Sequence, residues 1–311
     1  MHVATTLLLI AGICVIAFPL TLQQMSTQQL AQTTASAKQH VAGWPYPHAE
    51  NALRQARQYN NELADSGQAI LGEGADPFAA ASGSKARRED SAASNDKRYQ
   101  SLLDSGNGVM GTIRIPKISV TLPIYHGTSE ESLASGSGHL YGTSLPVGGN
   151  NTHSVITGHR GLVSALMFTR LDEMHKGDFF YIEVMNETLG YEVDSINVIE
   201  PDDISKLRIR HNEDRVTLMT CTPYGINTQR LLVSGHRVKI PAPAPDPDNV
   251  HDARNAAMLV AGAVMACGWL CITVVRRFTG TPLLVARHAA ARPHNACDRW
   301  RTVLHNAGHH D

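Results

Sequence analysis

The sequence predicts a mainly β protein, a closed or nearly closed barrel of seven or eight short strands, with a membrane-length apolar run at each end of the chain. Three observations carry this reading. From position 111 onward, short β-branched stretches alternate with Gly, Pro, Asn and Asp at regular intervals. Two apolar runs, 3–22 and 256–275, each match the ~20 residues a helix needs to cross a ~30 Å hydrocarbon core. The chain as a whole is 42% hydrophobic and 5% aromatic with mean hydropathy −0.18, which describes a globular core and excludes a polytopic membrane protein.

The elements follow in order. Residues 1–22 read as an N-terminal transmembrane anchor or a signal. The small-residue site Ala35-Ser36-Ala37 lies well past the apolar run, too far for ordinary signal cleavage, so an uncleaved anchor is the favoured alternative. Residues 23–47 are rich in Gln, Thr and Ala and end in Trp44-Pro45-Tyr46-Pro47, which reads as a stalk. Residues 48–110 hold a helix and then a polar segment. From 48 to about 64 there is no Gly or Pro, and Ala49, Ala52, Leu53, Ala56 and Leu63 fall on one face at helical spacing. Residues 65–97 turn to Gly, Ser, Ala and charge and can supply little core; within them stands Asp76-Pro77-Phe78, which alone is a turn signal.

The barrel domain covers 111–240. Its expected strands are 112–115, 120–125, 154–157, 179–184, 191–199, 215–221 and 230–240, with short helices near 130–134 and 163–174. Residues 241–255 begin with Pro at every second position, a semi-rigid extended spacer. Residues 256–275 form the expected C-terminal transmembrane helix, and 276–311 the tail.

Charge orients this arrangement. The chain has 27 Lys+Arg against 28 Asp+Glu, so no global basic field exists to bind nucleic acid. The tail carries Arg276, Arg277, Arg287, Arg292, Arg299 and Arg301 against only Asp298 and Asp311, and the positive-inside rule places it in the cytoplasm. With two spans both termini are cytoplasmic and residues 23–255 face outward. Those residues hold 21 basic and 26 acidic side chains, net −5.

Cysteine usage then narrows the chemistry. Of five cysteines, Cys14, Cys267 and Cys271 lie in the apolar runs and Cys297 in the tail, leaving Cys221 alone in the exported region. A single thiol in an oxidising compartment is either a buried small hydrophobe or a nucleophile. Cys221 ends an expected strand, and a six-residue loop with Pro223 and Gly225 separates it from the strand that begins near Arg230. The two residues would stand at one end of a hairpin. A guanidinium there favours thiolate and stabilises an oxyanion, or else forms an ordinary ion pair. Among ten exported histidines, His159 sits between Gly158 and Gly161 after an expected strand, a turn that presents the ring at the strand's end; His139 and His153 compete with it. By strand alternation Thr220 points away from Cys221, and Thr222 can offer a backbone N–H to an oxyanion. No acid is placed to serve as a third member. No metal or cofactor is expected.

At this point the residues carry a resemblance. The run Thr217-Leu-Met-Thr-Cys-Thr-Pro-Tyr-Gly-Ile-Asn-Thr-Gln-Arg-Leu-Leu-Val-Ser-Gly235, with Thr157-Gly-His-Arg-Gly161 and Gly138-His-Leu-Tyr-Gly-Thr-Ser-Leu-Pro146, resembles the sortases, and specifically the class C, pilin-polymerising cysteine transpeptidases of Gram-positive bacteria. The Cys-Thr-Pro-Tyr-Gly-Ile-Asn sequence, the second apolar run and Asp76-Pro77-Phe78 before the barrel carry the class. The resemblance covers about 48–240 and both anchors.

It implies a sortase-type closed eight-stranded β-barrel with an N-terminal helix and a lid segment. It also implies that Cys221 attacks the Thr–Gly bond of an LPxTG-type sorting signal, His159 acts as acid and base, and Arg230 holds substrate and oxyanion. In the implied lid, Asp76 pairs with Arg230 or a neighbour while Phe78 lies against Cys221. Thr220, Thr222 and His139 are supporting or substrate-binding candidates. The implied partners are pilin subunits with sorting signals and acceptor lysines; in wall anchoring the acceptor is a peptidoglycan precursor.

Two other classes match parts of the sequence. Ser82-Gly-Ser-Lys85 matches the S-x-x-K of penicillin-binding transpeptidases but lacks K-T-G or S-D-N downstream. A membrane-tethered scaffold would make Cys221 structural. Neither a Walker loop, a G-x-S-x-G elbow nor H-E-x-x-H is present.

Overall fold

The computed structural model describes residues 2–69, 71, 78, 91–162, 164–240 and 253–279. It forms two units, residues 1–252 and residues 253–311. In the first, helices α1 (His2–Ala42), α2 (His48–Asp65), α3 (Ser91–Asn95) and α4 (Lys97–Ser101) precede strands β1 (Val109–Ile115) and β2 (Val120–His126). Helix α5 (Glu130–Ser135), β3 (Ser137–His139), β4 (Thr152–Thr157), β5 (Phe179–Val184), β6 (Glu187–Ile199), β7 (Asp214–Thr222) and β8 (Gln229–Val238) follow. The second unit contributes α6 (Ala253–Thr279).

The eight strands close into one barrel in the order β1-β2-β3-β4-β7-β8-β6-β5. Two neighbours are parallel, β2 with β3 and β4 with β7; the rest are antiparallel. Parallel neighbours need a crossover, and α5 supplies the one between β2 and β3. The interior is filled by aliphatic and aromatic side chains such as Ile113, Ile115, Phe180, Tyr191, Leu218 and Val233. Strand β3 is too short and too rich in Gly and His to show in the sequence pattern, and it completes the expected count of eight. The expected helix over 163–174 is instead a series of turns with a single 3-10 turn at Leu171–Glu173; residue 163 lies outside the described residues.

Helix α2 buries Leu53, Ala56, Tyr59, Asn60 and Leu63 against the barrel, the expected face widened by a tyrosine and an asparagine. The buried amide is satisfied by the backbone of a single residue: Asn60 Nδ2 donates to the Leu145 carbonyl (3.0 Å), and the Leu145 N–H donates to Asn60 Oδ1 (2.7 Å). The segment expected as a stalk is helical to Ala42 and does not stand clear of the domain. Thr34 and Val41 are buried, Leu30 packs on the core, and Lys38 pairs with Glu183 at 3.2 Å. A run without Gly or Pro from 20 to 42 lets the apolar helix continue unbroken into this packed part.

Both apolar runs lie within helices, α1 and α6. Among the described residues no helix is long and apolar enough to cross a membrane. Most of the spacer (241–252), the tail from 280, Cys297 and Ser82-Gly-Ser-Lys85 lie outside the described residues.

Candidate active site

Three neighbouring strands, β4, β7 and β8, bring the chemistry together at one end of the barrel. Cys221 and Arg230 are paired residues of the β7–β8 ladder. Strand β4 runs parallel to β7 with Thr157 opposite Met219, and the Gly158 N–H extends the ladder to the Met219 carbonyl (3.1 Å). Two residues beyond Thr157 the same register carries His159 level with Cys221. Gly158 is needed here because a Cβ would come within 2.8 Å of the Phe168 ring. Thr220 points away from the cysteine, as strand alternation requires, and its Oγ1 donates to the Gly158 carbonyl (2.8 Å). The residue before the nucleophile thus holds the turn that presents the histidine.

Arg230 is 2% exposed, and a buried guanidinium needs acceptors. Its Nη1 donates to the Asn227 (3.0 Å) and Gln229 (2.8 Å) carbonyls, and the guanidinium lies 5.2 Å from the centre of the Phe78 ring, within cation–π range. The Phe78 ring is also 5.7 Å from that of His159 and belongs to one buried cluster with Leu71, Leu133, Met219 and Cys221. Cys221, 3% exposed and in no disulfide, is therefore covered. The structure brings Cys221, His159, Arg230 and Phe78 together; Asp76 and Pro77 lie outside the described residues.

Burial lowers the His159 pKa, and Glu130 opposes that shift. Glu130 Oε1 is 3.6 Å from Nε2, a separation for ion pairing rather than hydrogen bonding. The sequence places no acid to serve as a third member, and the structure sets Glu130 at ion-pairing distance from the ring. Glu130 escaped notice because it sits on a different element, after β2, and no spacing rule links it to the histidine loop.

Arg160 likewise carries no distinguishing signal in the sequence beyond its place after His159. Its Nη1 donates to the Cys221 carbonyl (3.4 Å) and Thr222 Oγ1 (3.1 Å), and its Nη2 donates to Asp172 Oδ2 (2.5 Å). Thr222 therefore contributes its hydroxyl to anchoring the strand end. The residue after the histidine grips the residue that bears the thiol.

His139 does not join this group. One ring nitrogen contacts the Ser144 carbonyl (2.8 Å) and the other the Tyr99 hydroxyl (2.9 Å), so both are occupied in the barrel wall. His153 is similarly taken, by the Arg208 carbonyl (3.0 Å) and Thr217 Oγ1 (2.7 Å). Each was a plausible rival to His159 in sequence, and each proves to be a satisfied buried imidazole.

Residues 113–238 match the family described as "Sortase domain". The chain is 32% identical over 131 residues to sortase D of Bacillus subtilis (strain 168), across 41% of this chain and 63% of that protein. It thus spans less than two thirds of the length of that curated relative. Among solved structures, a pilus-related sortase C of Group B Streptococcus superposes with a TM-score of 0.58 at 37% identity, covering 66% of this chain and 97% of that one. Sortase C-1 from Actinomyces oris gives 0.51 at 42%, covering 62% and 99%. With strand order, thiol, guanidinium and histidine in place and these likenesses added, the chain belongs to the sortase family of cysteine transpeptidases, and its structural neighbours are class C members.

Proposed function

We propose that the protein polymerises pilins: it cleaves an LPxTG-type sorting signal between Thr and Gly and transfers the acyl group to a lysine amine of another pilin subunit. The observation that supports this best is the meeting of Cys221, Arg230 and His159 beneath Phe78, together with the class of the structural neighbours. The Cys221 thiolate attacks the Thr carbonyl carbon, and the Arg230 guanidinium, once displaced from Phe78, stabilises the oxyanion. The C–N bond then breaks, and the leaving glycine amine takes its proton from the His159 imidazolium, leaving a thioester and neutral imidazole. The lysine amine attacks the thioester, its proton passes to His159, and the C–S bond breaks to restore thiolate and imidazolium.

With reference pKa values of about 8.5 for Cys and 6.5 for His, and burial acting against imidazolium at His159, only a small fraction of the enzyme holds the reactive pair at neutral pH. Turnover is expected to be slow. Membrane anchoring through 3–22 and 256–275, with the barrel outside and both termini in the cytoplasm, belongs to this proposal. It rests on the two apolar runs and the arginines of the tail.

The test is mass spectrometry of Cys221 after incubation with an LPxTG-type peptide, followed by addition of a purified pilin. A thioacyl adduct ending at Thr and a ladder of covalent pilin oligomers support the proposal. An adduct without a ladder, transferred only to glycine-bearing wall precursor, replaces polymerisation by wall anchoring. No adduct, or transfer surviving Cys221→Ala, overturns it.

A further inference from the structure

His159 faces opposed demands in the reaction proposed above, on which this inference rests: it must carry a proton when the thiolate attacks, yet it is buried. The groups facing it explain how both are met. Phe78, packed over the ring at 5.7 Å, excludes water and offers no charge. Cys221 on β7 stands level with it, and Arg230, the ladder partner of Cys221 on β8, lies with its guanidinium against the Phe78 ring. Arg160, its chain neighbour, is turned away toward Asp172. Among the described residues, Glu130 Oε1 is the carboxylate oxygen within ion-pairing distance of the ring, 3.6 Å from Nε2.

The position of Glu130 is built in. It opens α5, whose N-cap Ser129 accepts the Ser132 N–H at 3.1 Å, and Leu133 on the same helix is fully buried in the cluster that holds Cys221 and Phe78. The underside of α5 is therefore part of the wall of the site. The Glu130 side chain is itself 71% exposed, so its charge stays hydrated and is not penalised by burial, while it reaches a ring that is.

We propose that Glu130 is a positioning residue of the transfer reaction, its carboxylate orienting the Nε2 side of His159 and supporting the imidazolium that protonates the leaving amine. The ordinary alternative is an exposed contact with no effect on the histidine.

A pH profile separates the two. If the active form is the thiolate–imidazolium pair, its plateau population scales with the gap between the two pKa values, and the acid limb of kcat/KM follows His159. Glu130→Gln should then lower the plateau about two- to fivefold, the worth of a half-screened ion pair. It should also move the acid limb to lower pH by the same factor, about 0.3–0.7 pH unit. Glu130→Asp should recover part of both, and thermal melting should show all three proteins folded. A plateau that falls with the limb unmoved, or a profile identical to wild type, overturns the proposal. NMR titration of the His159 ring gives a second readout that needs no turnover. The midpoint must drop in Glu130→Gln, and an unchanged midpoint overturns the proposal even if the thioacyl test above succeeds. A failed thioacyl test with a shifted midpoint instead counts against the transfer reaction and leaves the electrostatic pairing in place.

Discussion

His139 and His153 are held neutral by the barrel wall, and the geometry fixes which nitrogen bears the proton. A carbonyl can only accept, so His139 donates to Ser144 and accepts from the Tyr99 hydroxyl, while His153 donates to Arg208 and accepts from Thr217. Burial lowers both pKa values from 6.5 to about 4. Below pH 6.5 the unfolded chain protonates these rings and the native one does not, so the unfolded state binds more protons and acid destabilises the fold. The contribution is intact above about 6.5 and is lost as pH falls toward 4, on the order of 3 kcal/mol per histidine. Melting temperature should therefore fall between pH 7 and pH 4. Replacing His139 or His153 by Asn should lower it at pH 7 but flatten that acid slope, and parallel slopes in variant and wild type would refute the assignment. At this scale sequence reasoning reached Cys221 and Arg230, because one exported cysteine at a hairpin end leaves few partners. It could not separate His139 on β3, His153 on β4 and His159 in the turn after β4, whose roles depend on whether a carbonyl or a reactive group faces each ring.

Among the elements, the polar segment after α2 contributes the buried side chains of Gln68, Leu71 and Phe78. Gln68 is buried and bonded to both flanking loops: its Nε2 donates to the Gly142 carbonyl (3.3 Å), and its Oε1 accepts the Ile209 N–H (2.6 Å). Leu71 and Phe78 beyond it are seated in the cluster around Cys221. Truncating Phe78 removes both the ring over His159 and the face opposed to Arg230. Phe78→Ala is expected to speed labelling of Cys221 by a thiol reagent about tenfold or more, a factor that needs about 1.4 kcal/mol of the roughly 3 kcal/mol or more that a buried aromatic ring contributes. Equal labelling rates in the variant and the wild type would show that Phe78 does not cover the thiol. The segment could be placed in the sequence by its position before the barrel and its one aromatic residue. Helix α5 could also be placed, but its part in the site wall could not, because that depends on the parallel β2–β3 crossover and not on local pattern.

Across the whole molecule, the barrel is readable because short β-branched runs are set off by Gly, Pro, Asn and Asp at regular intervals, and β3 escapes because three residues make no pattern. The segment 23–47 was the main architectural misreading. Gln, Thr and Ala have no strong apolar face, yet the helix begun by the apolar run carries them past the barrel, and Val41 and Leu30 are enough to dock it. This unbroken helix also sets a height. From Leu22, where the apolar run ends, to Leu30, the first side chain on the core, is a rise of about 12 Å along a helix. If 3–22 lies in the bilayer, the barrel is held close to the surface, where donors tethered in the same membrane reach high effective concentration. A flexible insert after Leu22 should then slow transfer from a membrane-tethered donor and leave the rate on a soluble peptide unchanged. Equal slowing of both, or of neither, would mean that the helix acts only as an anchor. On that arrangement the selection of substrate begins before any side chain is read, because a donor held in the same membrane meets the enzyme far more often than one that is free.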